Sequence, residues 1–171
     1  MNDKNKIVFL LKTTELLDLW QNFCQMHSDL YDLTCDEYVH LLSSDLESLD
    51  GVMEVKNELL EKIKKFESTR QEYIKEIDVL IPLESEKIIK FSDLIPVLKK
   101  YGSDNEAIRL EKLNLLLLDI IDKIQQQNKK NQVFLNKAIL SLRNLKDSFG
   151  GKKNYRTYGA NGATSNNSVA P

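Results

Sequence analysis

The scarcity of helix-breaking residues constrains the fold of this chain more than any other feature. Only three prolines and six glycines occur among 171 residues, and four of the glycines follow residue 149. Strands are usually bounded by turns rich in these two residue types, so their scarcity leaves strand signals almost absent. Apolar residues instead recur at steps of three and four up to residue 149. The sequence therefore predicts an all-α fold.

The first predicted helix covers residues 12–42. Its apolar face is one continuous stripe with two polar interruptions, at His27 and Thr34. The apolar and aromatic members of that stripe are Leu16, Trp20, Phe23, Leu30, Tyr38 and Leu41. Since Ser44 precedes Glu47 by three residues, the pair has the spacing of a capping box and predicts the start of a second helix.

The second predicted helix ends before Pro82, which cannot continue it. Its long polar stripe members are Lys56 and Arg70, and its apolar members are Leu49, Val52, Leu59, Ile63, Phe66, Tyr73, Ile77 and Leu80. A short helix is predicted over residues 93–101, with Pro96 in its first turn. The expected architecture is an elongated antiparallel bundle of three long helices, with this short helix between the second and the third.

The third long helix is predicted from a second capping box, Ser103 with Glu106, to about Phe149, where Gly150 follows. Its stripe begins with Leu110, Leu113, Leu117, Ile120 and Ile124. The stripe then turns polar at Gln127 and Asn131. These two residues either form a buried polar layer that fixes register, or mark the point where the helix leaves the bundle.

Beyond the polar interruption, the apolar face of the third helix becomes wider than one helix seam needs. It comprises Phe134, Leu135, Ala138, Ile139, Leu142, Leu145 and Phe149, and it also includes Val133 and Leu140. Such a surplus suggests a surface for a partner, and apolar residues spaced at i, i+3, i+4 and i+7 can receive an amphipathic helix.

The last residues differ in composition from the rest, so the sequence predicts two domains, a helical domain at 1–149 and a flexible tail at 150–171. The tail is rich in Gly, Asn, Ser and Thr, and we expect it to be disordered alone because it cannot bury enough apolar surface to offset the entropy of ordering. Tyr155 and Tyr158 lie there among three cations and no acids, a pattern that favours recognition by another protein.

Charge and cysteine usage exclude several classes of function. The net charge is −2, and cations on the helices are matched by Asp and Glu, so the chain lacks the footprint of a nucleic-acid binder. No secretory signal and no apolar run of membrane length occur, which predicts a cytoplasmic protein without membrane insertion. Cys24 and Cys35 lie three helical turns apart, about 16 Å, and are expected to stay reduced.

Catalytic and cofactor chemistry are not expected. His27 and His40 are thirteen residues apart, outside the spacing of three or four that helical metal ligands use. Glycine-rich phosphate loops, HExxH and CxxC motifs do not occur. The sequence predicts no catalytic residues, no cofactor and no metal, and hence a protein that is not an enzyme.

Three segments resemble the FlgN family of flagellar export chaperones. Residues 54–60 lead to Arg70 and are similar to the family's E-x-K-x-x-L-L segment, while residues 128–145 are similar to its polar-then-apolar third helix. Residues 157–165 resemble its terminal Y-G-x-x-G-x-x-S motif, although Thr157 stands where the family usually has leucine.

The resemblance implies a non-catalytic chaperone that holds hook-filament junction proteins, the hook-associated proteins, unassembled before type III flagellar export. It assigns cargo binding to the face from Phe134 to Phe149, and export-gate docking to the motif with Tyr158, Gly159 and Gly162. The expected partners are hook-associated proteins, the gate protein FlhA and components of the export ATPase complex, while the sequence leaves open whether the free chaperone forms a homodimer. The alternative is a structural coiled-coil or scaffold protein that self-associates through helix three.

Overall fold

The computed structural model describes residues 3–81, 88, 91–149, 156–158 and 164–166. Within these residues the chain forms four helices: α1 (Asp3–Ser43), α2 (Leu46–Leu80), α3 (Phe91–Tyr101) and α4 (Asp104–Phe149). Two short strands follow, β1 (Arg156–Tyr158) and β2 (Thr164–Asn166). The predicted all-α fold with three long helices and one short helix is confirmed, although α1 begins nearer the amino terminus than residue 12.

The chain divides into two compact units, which are Met1–Asn131 and Gln132–Pro171. Helix α4 contributes residues to both. The predicted boundary between a helical domain at 1–149 and a tail at 150–171 was drawn from a change in amino-acid composition, and it stays a prediction.

The connection between α1 and α2 corrects the predicted capping box at Ser44. Ser44 has a positive φ of 58°, and its N–H lies 3.4 Å from the Leu41 carbonyl while the Asp45 N–H donates to the His40 carbonyl at 3.1 Å. This is the Schellman arrangement that closes a helix carboxyl end. Because Ser44 is used there, Asp45 becomes the N-cap of α2 and accepts a hydrogen bond from the Ser48 N–H at 3.1 Å.

The directions of the helices in the first unit follow from their polar contacts. Lys12 pairs with Glu76 at 2.9 Å, and Lys56 pairs with Glu37 at 2.6 Å, so α1 and α2 are antiparallel. The part of α4 that belongs to this unit, up to Asn131, runs parallel to α1, because Arg109 donates to Gln21 and, further along both helices, Asn131 donates to Thr34.

The junction of α3 and α4 contains the second predicted capping box, which is confirmed. The Ser103 N–H donates to Glu106 Oε2, and the Glu106 N–H donates to Ser103 Oγ, both at 3.2 Å. Gly102 leaves no room for a side chain, since a Cβ there would lie 2.9 Å from the Leu98 carbonyl oxygen. Pro96 lies inside α3 and not in its first turn, because that helix begins at Phe91.

The hydrophobic core of the first unit joins the amino-terminal half of α1, the carboxyl end of α2, α3 and the start of α4. Aromatic contacts are frequent in it: Trp20 lies 5.2 Å from Phe91 between ring centroids, and Phe9 meets Tyr101 edge to face. Its fully buried aliphatic members are Leu16, Ile77, Leu94, Leu98, Ala107 and Leu110. Leu16, Trp20 and Phe23 of the predicted α1 stripe face this core, while His27 and Tyr38 are half-buried.

Candidate functional site

A buried polar layer interrupts the apolar packing between α1 and α4. Asn131 is only 2 % exposed, and its Nδ2 donates to the Thr34 carbonyl at 3.0 Å. Gln127 Nε2 donates to Asn131 Oδ1, also at 3.0 Å, and is buried as well. Both alternatives for this polar stretch have support, because Gln127 and Asn131 form a buried layer, while Asn131 is also the last residue of the first unit and α4 is mostly exposed after it. Satisfied polar groups at such positions favour one helix register over its neighbours.

Lys56 of α2 extends the polar layer with a charge. The residue is 8 % exposed, and its Nζ donates to Glu37 Oε2 at 2.6 Å and to Asn128 Oδ1 at 3.3 Å. One side chain thereby links α2 to both α1 and α4. The sequence identified Lys56 as a stripe residue, but its ionic partner is nineteen positions away and no local pattern indicates it.

The second unit exposes the apolar surface that the sequence assigns to cargo. Exposure rises along the helix, from half-buried Phe134 and Ala138 to Leu142 at 65 % and Phe149 at 86 %. Leu135, Ile139 and Leu145 are exposed too. We call the seven residues of the predicted cargo site the α4 apolar face. Exposed apolar surface of this extent on one helix is typical of a binding site.

The members of the α4 apolar face point in similar directions. At about 100° per residue, the seven positions fall within an arc of about 140°. Two other exposed aliphatic residues, Val133 and Leu140, lie on the opposite side of the same helix. The face is thus a defined stripe of seven residues, and the prediction of a wider face that includes Val133 and Leu140 is wrong.

Tyr158, the residue assigned to gate docking, is the last residue of β1. It lies opposite Thr164 in an antiparallel pair that also joins Arg156 with Asn166. The sequence did not indicate strands here. A pair of three-residue strands is marginally stable at best in water, so disorder of the tail in isolation stays a prediction. Gly159 and Gly162 lie outside the described residues.

The histidines and cysteines of α1 have separate structural surroundings. His27 Nδ1 donates to the Phe23 carbonyl at 2.8 Å, and His40 lies 3.7 Å from Asp45. Cys24 donates to the Leu113 carbonyl at 3.3 Å, and burial raises the pKa of its thiol. Cys35 is half-buried, and neither Cys24 nor Cys35 forms a disulfide.

Among the described residues, no three His, Cys, Asp or Glu side chains cluster as metal ligands would. Within the same residues, none of the helices combines the length and apolarity needed to cross a bilayer.

Comparison with known proteins identifies the family. No curated protein and no solved structure matches the chain significantly. The sequence model of the family described as FlgN protein matches residues 10–166, which include α1 from its second turn, all of α2, α3 and α4, and both strands. The chain therefore belongs to the FlgN family of flagellar export chaperones.

Proposed function

We propose that this protein binds hook-filament junction proteins in the cytoplasm, keeps them unassembled and delivers them to the flagellar export gate. The observation that supports this most directly is the α4 apolar face. A surface on which Leu142 and Phe149 are largely exposed is costly in a free protein, and a cargo helix would remove that cost by covering it.

Cargo binding and gate docking would use different parts of the second unit. The α4 apolar face receives the cargo, and the tail around Tyr158 contacts FlhA. A tail that becomes ordered only on binding uses part of the interaction free energy to order itself, so its net affinity is lower. A lower affinity suits a chaperone that has to release its cargo. Neither role requires catalysis, a cofactor or a metal.

Truncation tests the cargo site. Three chains are compared for binding to purified hook-associated proteins by calorimetry: the full chain, a chain ending at Gly150, and a chain ending at Gln132. We expect the first two to bind alike and the shortest chain to lose binding. Equal binding by all three chains would show that the part of α4 beyond Gln132 does not bind cargo.

The oligomeric state separates this proposal from a scaffold that self-associates through α4. Sedimentation of the free full chain and of its cargo complex gives both stoichiometries. A chaperone is expected to bind cargo with the α4 apolar face covered by that cargo. If the face were instead closed in a stable self-dimer that excludes cargo, the scaffold function would replace the proposed one.

A further inference from the structure

The charges beside the α4 apolar face have one predominant sign. From Gln132 to the end of α4 the helix carries three cations, Lys137, Arg143 and Lys146, against one acid, Asp147. All four side chains are exposed. This segment is therefore basic, whereas the whole chain has a net charge of −2.

The three cations lie at the edges of the face. At about 100° per residue, Arg143 is about 40° beyond Ile139 on one edge, and Lys146 lies between Leu135 and Ile139 on that same edge. Lys137 is about 60° outside Phe134 on the other edge.

Asp147 is on the far side of the helix, about 150° from the centre of the face. The charged group nearest to each edge of the α4 apolar face is thus positive.

From this arrangement we infer that the natural occupant of the α4 apolar face is an amphipathic helix whose apolar stripe is flanked on both sides by Asp and Glu. The inference rests on the proposed function and adds the chemistry of the cargo segment. Apolar contacts supply most of the affinity, because charge pairs at an exposed rim contribute little each. The cations add selectivity, since they favour acidic flanks and repel basic ones.

The same charges disfavour a second copy of this chain as the occupant. In an antiparallel pair of identical helices, equivalent edges face each other, so Arg143 and Lys146 would meet the same cations of the other copy. In a parallel pair, that edge would meet the edge with Lys137. Both arrangements juxtapose like charges without an acid between them.

Two synthetic helical peptides test the inference with the full chain. They share one leucine stripe and differ only in having Glu or Lys at the flanking positions. By fluorescence anisotropy at about 50 mM salt we expect the Glu peptide to bind about tenfold more tightly, and the preference to shrink at about 0.5 M salt. Equal affinity at low salt, or tighter binding of the Lys peptide, would overturn the inference.

Charge-reversed variants locate the preference. In Arg143→Glu/Lys146→Glu we expect the preference for the Glu peptide to disappear or reverse. The control Lys64→Glu/Lys65→Glu makes the same change in net charge at exposed positions of α2, and should keep the preference. Equal effects of both variants would mean that only bulk charge matters, which contradicts a site at the α4 apolar face.

The peptides are not flagellar proteins, so this test is independent of the truncation experiment. If the full chain did not bind hook-associated proteins but still preferred the Glu peptide, the proposed function would be contradicted and the inference would stand. If the full chain bound hook-associated proteins through α4 but bound the Glu and Lys peptides equally, the inference would be contradicted and the proposed function would stand. A stable self-dimer of the unaltered chain that covers the α4 apolar face and excludes the Glu peptide would identify a second copy as the occupant and overturn it.

Discussion

Asn131 of α4 donates a hydrogen bond to the backbone carbonyl of Thr34 in α1, 97 positions earlier in the chain, at a distance of 3.0 Å. The Thr34 hydroxyl donates to the Leu30 carbonyl at 2.7 Å, so this residue's side chain is satisfied within α1. Asn131 also accepts from Gln127. Because both the Nδ2 and the Oδ1 of this buried amide are hydrogen-bonded, the Asn131 side chain favours one axial register of α4 along α1.

Replacing Asn131 tests this layer. We expect Asn131→Ala to lower the free energy of unfolding by about 1–3 kcal/mol, because Gln127 loses its acceptor inside the protein. Urea denaturation followed by circular dichroism measures the change. Asn136→Ala, at an exposed position of the same helix, is the matched control and should change stability little. If the two variants were equally stable, the layer would contribute nothing.

Removing one partner of the Lys56–Glu37 pair should be costly. Lys56→Met leaves the Glu37 carboxylate largely buried and without its cation, and we expect a loss of about 3 kcal/mol. The double variant Lys56→Met/Glu37→Leu should recover much of that loss, which a double-mutant cycle in urea would detect.

The exposed pair of Lys123 with Asp119, at 2.7 Å, is the control for the buried pair. Lys123→Met should have little effect on stability, since solvent screens exposed ion pairs. Additive single-variant losses at Lys56 and Glu37 would show that the two side chains are not coupled.

Two leucines on opposite sides of α4 test the cargo site. Leu142→Ser, on the α4 apolar face, should weaken binding to a hook-associated protein about tenfold or more by calorimetry, because it removes apolar area from the centre of the interface. Leu140→Ser alters a residue of similar exposure, 55 %, on the other side and should leave affinity nearly unchanged. The reverse order of effects would place the site elsewhere on α4.

Tyr158 is expected to act on export and not on cargo. Tyr158→Ala should weaken binding to the purified cytoplasmic domain of FlhA, while affinity for hook-associated proteins stays the same. Tyr155→Ala is the nearby tyrosine control and should have the smaller effect on gate binding. Parallel losses of both affinities in Tyr158→Ala would contradict a division of roles between helix and tail.

The N-cap of α2 should make stability depend on pH. Hydrogen bonds from Ser48 lower the pKa of Asp45 below its ordinary value of 3.8. A carboxyl with a depressed folded-state pKa stabilises the protein fully above its unfolded-state pKa, and the contribution disappears as the pH falls through the folded-state value.

Asp45→Asn retains a capping oxygen but does not titrate. The stability difference between the natural chain and this variant should therefore shrink when urea denaturation is repeated from neutral pH down to below pH 3.8. A difference that is constant over this range would mean that the Asp45 charge does not contribute.

Local signals in the sequence predicted the helices well, and they failed where one residue had two possible roles. Ser103 with Glu106 forms the predicted capping box, but Ser44 closes α1 in a conformation that glycine usually adopts, so Asp45 caps α2 instead. The polar layer was open to two interpretations because its partners, Thr34 and Lys56, are distant in sequence. The surplus of apolar residues after Asn131 was visible as a pattern, and the structure adds how exposed each of them is.

The two-residue connection between α1 and α2 affects how the protein forms during synthesis. Only Ser44 and Asp45 separate these helices, so their pairing requires a short loop closure and can be complete while the ribosome is still making the remainder. The contact between Thr34 and Asn131 has to wait until most of α4 has emerged. Until then the nascent chain presents a helical hairpin whose core face is open, and such transiently exposed apolar surface can associate with other chains.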